Sequence, residues 1–198
     1  GAVADFQKAT TINPRYSEAL NSLGAAYIEK DDPGAALSPL NRAIELNPGL
    51  AKPWNNRAFA YSRLNIYDRA LADLNETLAR DAENSVAFSN RCWVRAVLNQ
   101  LPEARADCQR AIMLDPRRMA AFDNLGLIAL KAGQYEDAIS NYNRVIEVTS
   151  NAASLYGRGY AKQKLNNPDY AKDFDSAIGI DPQIATSFIS LLTPTPGR

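Results

Sequence analysis

Pro14, Pro48 and Pro116 fall in one column of a 34-residue period, with Ala82 in the third place, and no other feature limits the fold of this chain so strongly. A period of that size marks a stack of supersecondary units, each unable to cover its own apolar face alone. In that register the units are residues 17–50, 51–84, 85–118, 119–151 and 152–184, the last two being one residue short. Upstream, residues 1–16 match only the second half of a unit, with Ala2, Phe6, Ala9 and Pro14 in its columns. Downstream, Phe188, Leu191 and Leu192 match the start of a sixth. The expectation is a single array over residues 1–192, taken from a longer run of repeats, with residues 185–192 as a capping helix and residues 193–198 as a flexible tail.

Each unit reads as two amphipathic helices of about 13 residues, because large apolar residues recur at helical spacing and a short polar stretch parts the halves. In the first unit these residues are Leu20, Leu23, Gly24 and Tyr27, then Ala36, Leu40 and Ala43. Asp31, Asp32, Pro33 and Gly34 supply a break, an N-cap and a proline suited to a first helical turn. Asn47 and Pro48 end the second helix, since the residue before a proline is steered out of the helical region. The same punctuation returns at residues 131–134 and 166–169.

Leu20, Leu23, Gly24, Tyr27, Ala36, Leu40, Ala43 and Pro48 together resemble the eight-column signature of the tetratricopeptide repeat family. Trp54, Ala58, Tyr61, Ala70 and Leu74 continue it in the second unit, Phe88, Ala104, Ala111 and Pro116 in the third, and Phe122, Leu125, Gly126, Ala138 and Tyr142 in the fourth. The fifth has Leu155, Gly159, Phe174, Ala177 and Pro182, but carries Lys162 where an aromatic residue is usual. The resemblance implies an all-α fold, a right-handed α-solenoid (superhelix) of antiparallel helix pairs, with the first helix of every unit lining a concave face. The small columns have a physical reason of their own. Gly24, Ala58, Gly126 and Gly159 face Ala36, Ala70 and Ala138 across each pair, so the helices approach closely and larger residues interlock between pairs.

Arg57, Arg91 and Arg158 stand in a column that is otherwise leucine, and a charge placed there needs a partner. Asp73 and Asp107 follow sixteen residues later, and Asp173 fifteen later in the shortened unit. Units with leucine in the first column have Pro39 or Asn141 in the second. The expectation is an intra-repeat salt bridge in each of the three units, the arginine stem packed and its fork on the carboxylate. A ladder of arginines for an acidic ligand is the functional alternative. Cys92 and Cys108, the only cysteines, sit at small columns on the two helices of the third unit. They read either as two small buried thiols or as a disulfide. A disulfide would indicate a periplasmic or secreted protein, and free thiols a cytoplasmic one.

Composition narrows the function. The chain has no histidine, the commonest general base and zinc ligand, no glycine-rich phosphate loop and no paired carboxylates brought together by the repeat. The expectation is therefore no enzyme, no metal and no cofactor. Its 22 basic residues balance 22 acidic ones, which leaves no field to gather nucleic acid, and no apolar run suits membrane insertion. A protein or peptide partner remains.

The resemblance places such a partner on the concave face. One column there holds Ala25, Phe59, Trp93, Leu127 and Tyr160, apolar residues where a solvated surface would have polar ones. Three columns earlier stand Asn56, Asn90 and Asn124, whose amides can both donate to and accept from an extended peptide. The family's two-carboxylate clamp for acidic chaperone tails is missing, since Asn21 with Ala25 and Asn55 with Phe59 stand where lysine and asparagine are required. The reading is a non-catalytic adaptor or assembly scaffold. The alternatives are a self-associating structural solenoid forming a homo-oligomer, or the docking and regulatory part of a larger enzyme.

Overall fold

The computed structural model describes residues 1–13 and 15–193, without the side chain of Thr10. Pro14, the first member of the proline column, and the expected tail beyond Thr193 lie outside the described residues. Twelve α-helices and no strand are found among those described: α1 (Ala2–Ile12), α2 (Ser17–Glu29), α3 (Pro33–Leu46), α4 (Ala51–Arg63), α5 (Tyr67–Arg80), α6 (Ser85–Val97), α7 (Leu101–Leu114), α8 (Met119–Lys131), α9 (Tyr135–Ile146), α10 (Ala152–Lys164), α11 (Tyr170–Ile180) and α12 (Ile184–Leu192). The fold is an all-α helical repeat. Each unit read from the sequence contains two of these helices, from α2 and α3 to α10 and α11.

The turn inside each pair has a local cause. One residue per turn adopts the left-handed conformation: Asp31, Asn65, Asn99, Gly133 and Asn166, at φ of 61°, 58°, 61°, 71° and 56°. Glycine reaches that region freely, and asparagine and aspartate at the least cost among the others. At the first of these turns Asp32 then caps α3, accepting from the Ala35 amide at 3.0 Å, with Pro33 in the opening turn where its missing N–H costs nothing.

The helices form two compact units, residues 1–94 and 95–198. In the first, α2 packs on α3 and α4 on α5, while α3 joins the pairs by packing on α4. Val3 and Phe6 of α1 close its end against Leu23 and Ala26. Leu40 is fully buried against Gly24, where an added Cβ would lie 2.5 Å from the leucine Cγ.

In the second unit α8 pairs with α9 and α10 with α11, and α9 packs on α10. The phenol ring of Tyr142, on α9, passes between α8 and α10. A Cβ on Gly126 or on Gly157 would come within 2.6 or 2.5 Å of its Cζ, so the ring fits only because both positions are glycine. Helix α12 packs on α10, also approaches α8, and meets α11 far less extensively than α10 meets α9.

Candidate functional site

The arginine column is held by a network built from two kinds of partner. Arg57 Nε and Nη2 donate to the two carboxylate oxygens of Asp73 at 2.7 and 2.8 Å, the fork-on-fork geometry that guanidinium favours. Its third nitrogen, Nη1, donates to Asn41 Oδ1 at 2.8 Å, in the preceding repeat. Arg158 does the same with Asp173, at 2.9 and 2.6 Å, and with Asn143 at 2.8 Å. Arg91 Nη1 donates to Asn75 Oδ1 at 2.8 Å, and Asp107 accepts from Arg95 Nη1 at 2.6 Å. All three aspartates are buried.

These partners include residues that pattern reading passed over. Asn41, Asn75 and Asn143 share one repeat column, visible in the sequence at steps of 34 and 68 residues. Arg95 and Lys162 stand in the column that holds Tyr27 and Tyr61 earlier, and each brings a cation to its repeat's aspartate. The unusual Lys162 is thereby explained, since its Nζ lies 2.8 Å from Asp173. Where tyrosine is kept, the Arg57 guanidinium lies over the ring, 5.8 Å from the Tyr61 centroid and 4.9 Å from that of Trp54. The hydrogen bond to Asp73 raises the Arg57 pKa against the smaller effect of burial. Burial pushes the Asp173 carboxyl up, but the bonds from Arg158 and Lys162 outweigh it and hold the group below the ordinary carboxylate value.

The first helices carry the predicted contact residues in differing states. Phe59 on α4 is 39% exposed. Trp93 is half-buried and meets Tyr67 edge to face at 5.9 Å. Tyr160 on α10 is half-buried, with the Lys164 ammonium 5.2 Å from its ring centroid. Leu127, read from the sequence as part of an exposed stripe, is instead buried, because α8 is enclosed around most of its circumference. Among the asparagines, Asn56 Nδ2 donates to Asn21 Oδ1 at 2.9 Å and Asn90 Nδ2 to Asn55 Oδ1 at 3.1 Å, linking successive first helices. Asn124 is buried. One donor in each of the first two pairs is thus committed to the neighbouring repeat, which aligns the remaining amide atoms.

At the place of those amide pairs the second unit has a carboxyl. Ser154 Oγ donates to Asp123 Oδ1 at 2.5 Å, and burial raises the Asp123 pKa in spite of that bond. The Tyr142 hydroxyl lies buried without a hydrogen-bond partner among the described residues, its own pKa pushed well up by burial and then by the nearby Asp123 charge. Cys92 and Cys108 are fully buried, and neither is a free thiol.

Three tetratricopeptide repeat family models match the sequence, at residues 17–50, 40–72 and 124–183, and together they span more than half of the chain. The chain is a tetratricopeptide repeat protein. Solved structures agree on the fold. PilW, a widely conserved type IV pilus biogenesis factor, superposes with a TM-score of 0.77 at 22% identity, over 96% of this chain and 89% of its own. YrrB, a tetratricopeptide repeat protein with an unusual peptide-binding site, gives 0.63 at 22% identity, over 93% and 96%. A chain of the APC/C hetero-tetramer Cut9-Hcn1 gives 0.83 at 15% identity, over 95% of this chain and 38% of that one. No curated protein matches the sequence. As a tetratricopeptide repeat protein the chain is a protein–protein interaction adaptor, of a family that is generally non-catalytic, and no described helix is long and apolar enough to cross a membrane.

Proposed function

We propose that the adaptor takes a peptide or protein segment on the faces carried by its first helices, with Phe59 and Trp93 as apolar anchors and the paired asparagines as backbone contacts in the first unit, and Tyr160 as an anchor in the second. The observation that supports this most is Phe59, a large aromatic side chain left 39% exposed on α4 beside the Asn21–Asn56 pair. An aromatic in that position loses water on contact, while the aligned amides hold a peptide's N–H and C=O groups without reading its side chains. Leu127 serves as packing for α8, and Asn124 as an inner support. The arginine–aspartate pairs are structural on this reading, since both carboxylate oxygens of Asp73 and Asp173 are already occupied.

A bridge between Cys92 and Cys108 belongs to the same proposal, and with it an oxidising compartment, periplasmic or secretory. Alkylation of the unfolded chain tests this: thiols that label only after reduction are expected, and labelling without reductant would remove both the bridge and the compartment.

The binding proposal is tested by capture from a cell extract with wild-type protein and with a Phe59→Glu, Tyr160→Glu variant of unchanged circular dichroism. A partner retained only by the wild type is the expected result. Equal capture by both places the contact elsewhere.

A further inference from the structure

Helix α12 sits where it could not sit if it merely continued the stack. Neighbouring packed helices have axes about 8–10 Å apart, so the third in a row lies about 16–20 Å from the first. Yet Cα atoms of α12 come within 8 Å of Cα atoms of α8, two first helices away, and α12 meets α11, against which a following first helix would pack, no more extensively than it meets α8. The helix has therefore folded back across α10.

Its roll agrees. Phe188 occupies the column of Leu20, Trp54, Phe88 and Phe122, of which Trp54 and Phe122 lie under arginines of their own unit's second helix, Arg80 and Arg144. Here Phe188 is 4% exposed and its ring lies 5.4 Å from that of Tyr156 on α10. Ile184 and Phe188 join Leu130 and Tyr156 in one apolar cluster, on which Tyr160 and Leu192 also pack. Tyr156 shares its column with Asn21 and Asn55, the amide pairs of the first unit, and Tyr160 is one of the proposed anchors.

We propose that α12 is a displaceable internal ligand on the first-helix face of residues 95–193, and that the partner it stands in for is an amphipathic helix with uncharged, apolar residues four apart. The inference rests on the binding face proposed above and adds what it accepts. The occupant's own sequence supplies the specification: Ile184, Phe188 and Leu192 are spaced by four, and residues 184–193 contain no charge. A helix of that pattern buries one apolar stripe in the seat while Ser187 and Ser190 stay in water, as in helix-in-groove recognition. The seat is lined by leucine and tyrosine side chains, which favour an apolar stripe.

The test uses a fluorescein-labelled peptide of residues 183–193 and the full chain, as wild type and as an Ile184→Ser, Phe188→Ser variant. Anisotropy should show the variant binding the peptide at least about tenfold more tightly than wild type, the factor for a seat otherwise open less than about a tenth of the time. A further Tyr160→Glu change should abolish that gain. Equal affinities in two folded proteins would overturn the proposal. Should the variant lose helicity, wild type alone decides: saturating peptide must speed amide exchange in α12, and unchanged exchange is a negative result. Wild-type dimers in sedimentation whose α12 seats on a second copy would also contradict it. Partner capture that depends on Phe59 and Tyr160, with a negative peptide result, would leave the binding face standing and remove only this inference.

Discussion

Arg158 and Asp173 show how a charge pair becomes part of a repeat rather than a surface ornament. The carboxylate accepts from three cationic nitrogens, and the guanidinium also reaches Asn143 of the preceding repeat. Arg158→Ala removes two of those three donors and leaves Asp173 to Lys162 alone. Thermal or urea unfolding should register a loss of about 2 kcal/mol, below the figure for a fully buried pair because the arginine side chain keeps 19% of its exposure. The aspartates of the second unit also predict a pH dependence with two signs. Asp173 is held below its ordinary value, so its contribution is complete above that value and is lost as pH falls through the folded pKa. Asp123 lies above its ordinary value, so the folded state is favoured at low pH and that advantage disappears as pH rises through the folded pKa. Asp123→Asn should accordingly raise the melting temperature at pH 7 and leave it nearly unchanged at pH 3. Melting curves of the two proteins at both values check this. The arginine and aspartate columns were readable in the sequence because both repeat at the unit length. Asn41, Asn75 and Asn143 repeat as well, yet an exposed-looking amide carries no mark of need until the arginine beside it is seen to have a third nitrogen to satisfy.

At the scale of the element, turns are the most transferable statement. Asn65 at φ 58° should accept glycine with a change within about 0.5 kcal/mol, whereas Asn65→Val should cost about 1–2 kcal/mol, because a β-branched side chain is strained in the left-handed region. Denaturant midpoints of the two variants decide it. The helix pairs themselves were legible from apolar spacing, from the Asp32 cap and from the proline column, since these are local signals. What spacing could not convey was the state of a face. Phe59 and Leu127 occupy equivalent columns, yet one is exposed and the other buried, because burial on a first helix depends on which neighbours cover it. The place of α12 escaped for the same reason. Its residues fit the start of a sixth unit, but Phe188 packs on Tyr156 of α10, a contact that spacing alone does not specify.

For the molecule as a whole, repeat architecture makes stability a sum of units and nearest-neighbour contacts. Two compact units, residues 1–94 and 95–198, carry separate apolar clusters, and each presents its own first-helix face. Both faces differ in kind: α4 shows an exposed phenylalanine beside asparagine pairs, while α10 offers a tyrosine-lined seat packed by α12. A partner engaging the adaptor in the proposed way must touch first helices and leave second helices in water. Amide hydrogen exchange of the chain with and without its captured partner tests that claim most directly. The account predicts slower exchange in α4 and α10, with α5 and α11 unchanged; protection confined to α5 and α11 would contradict it.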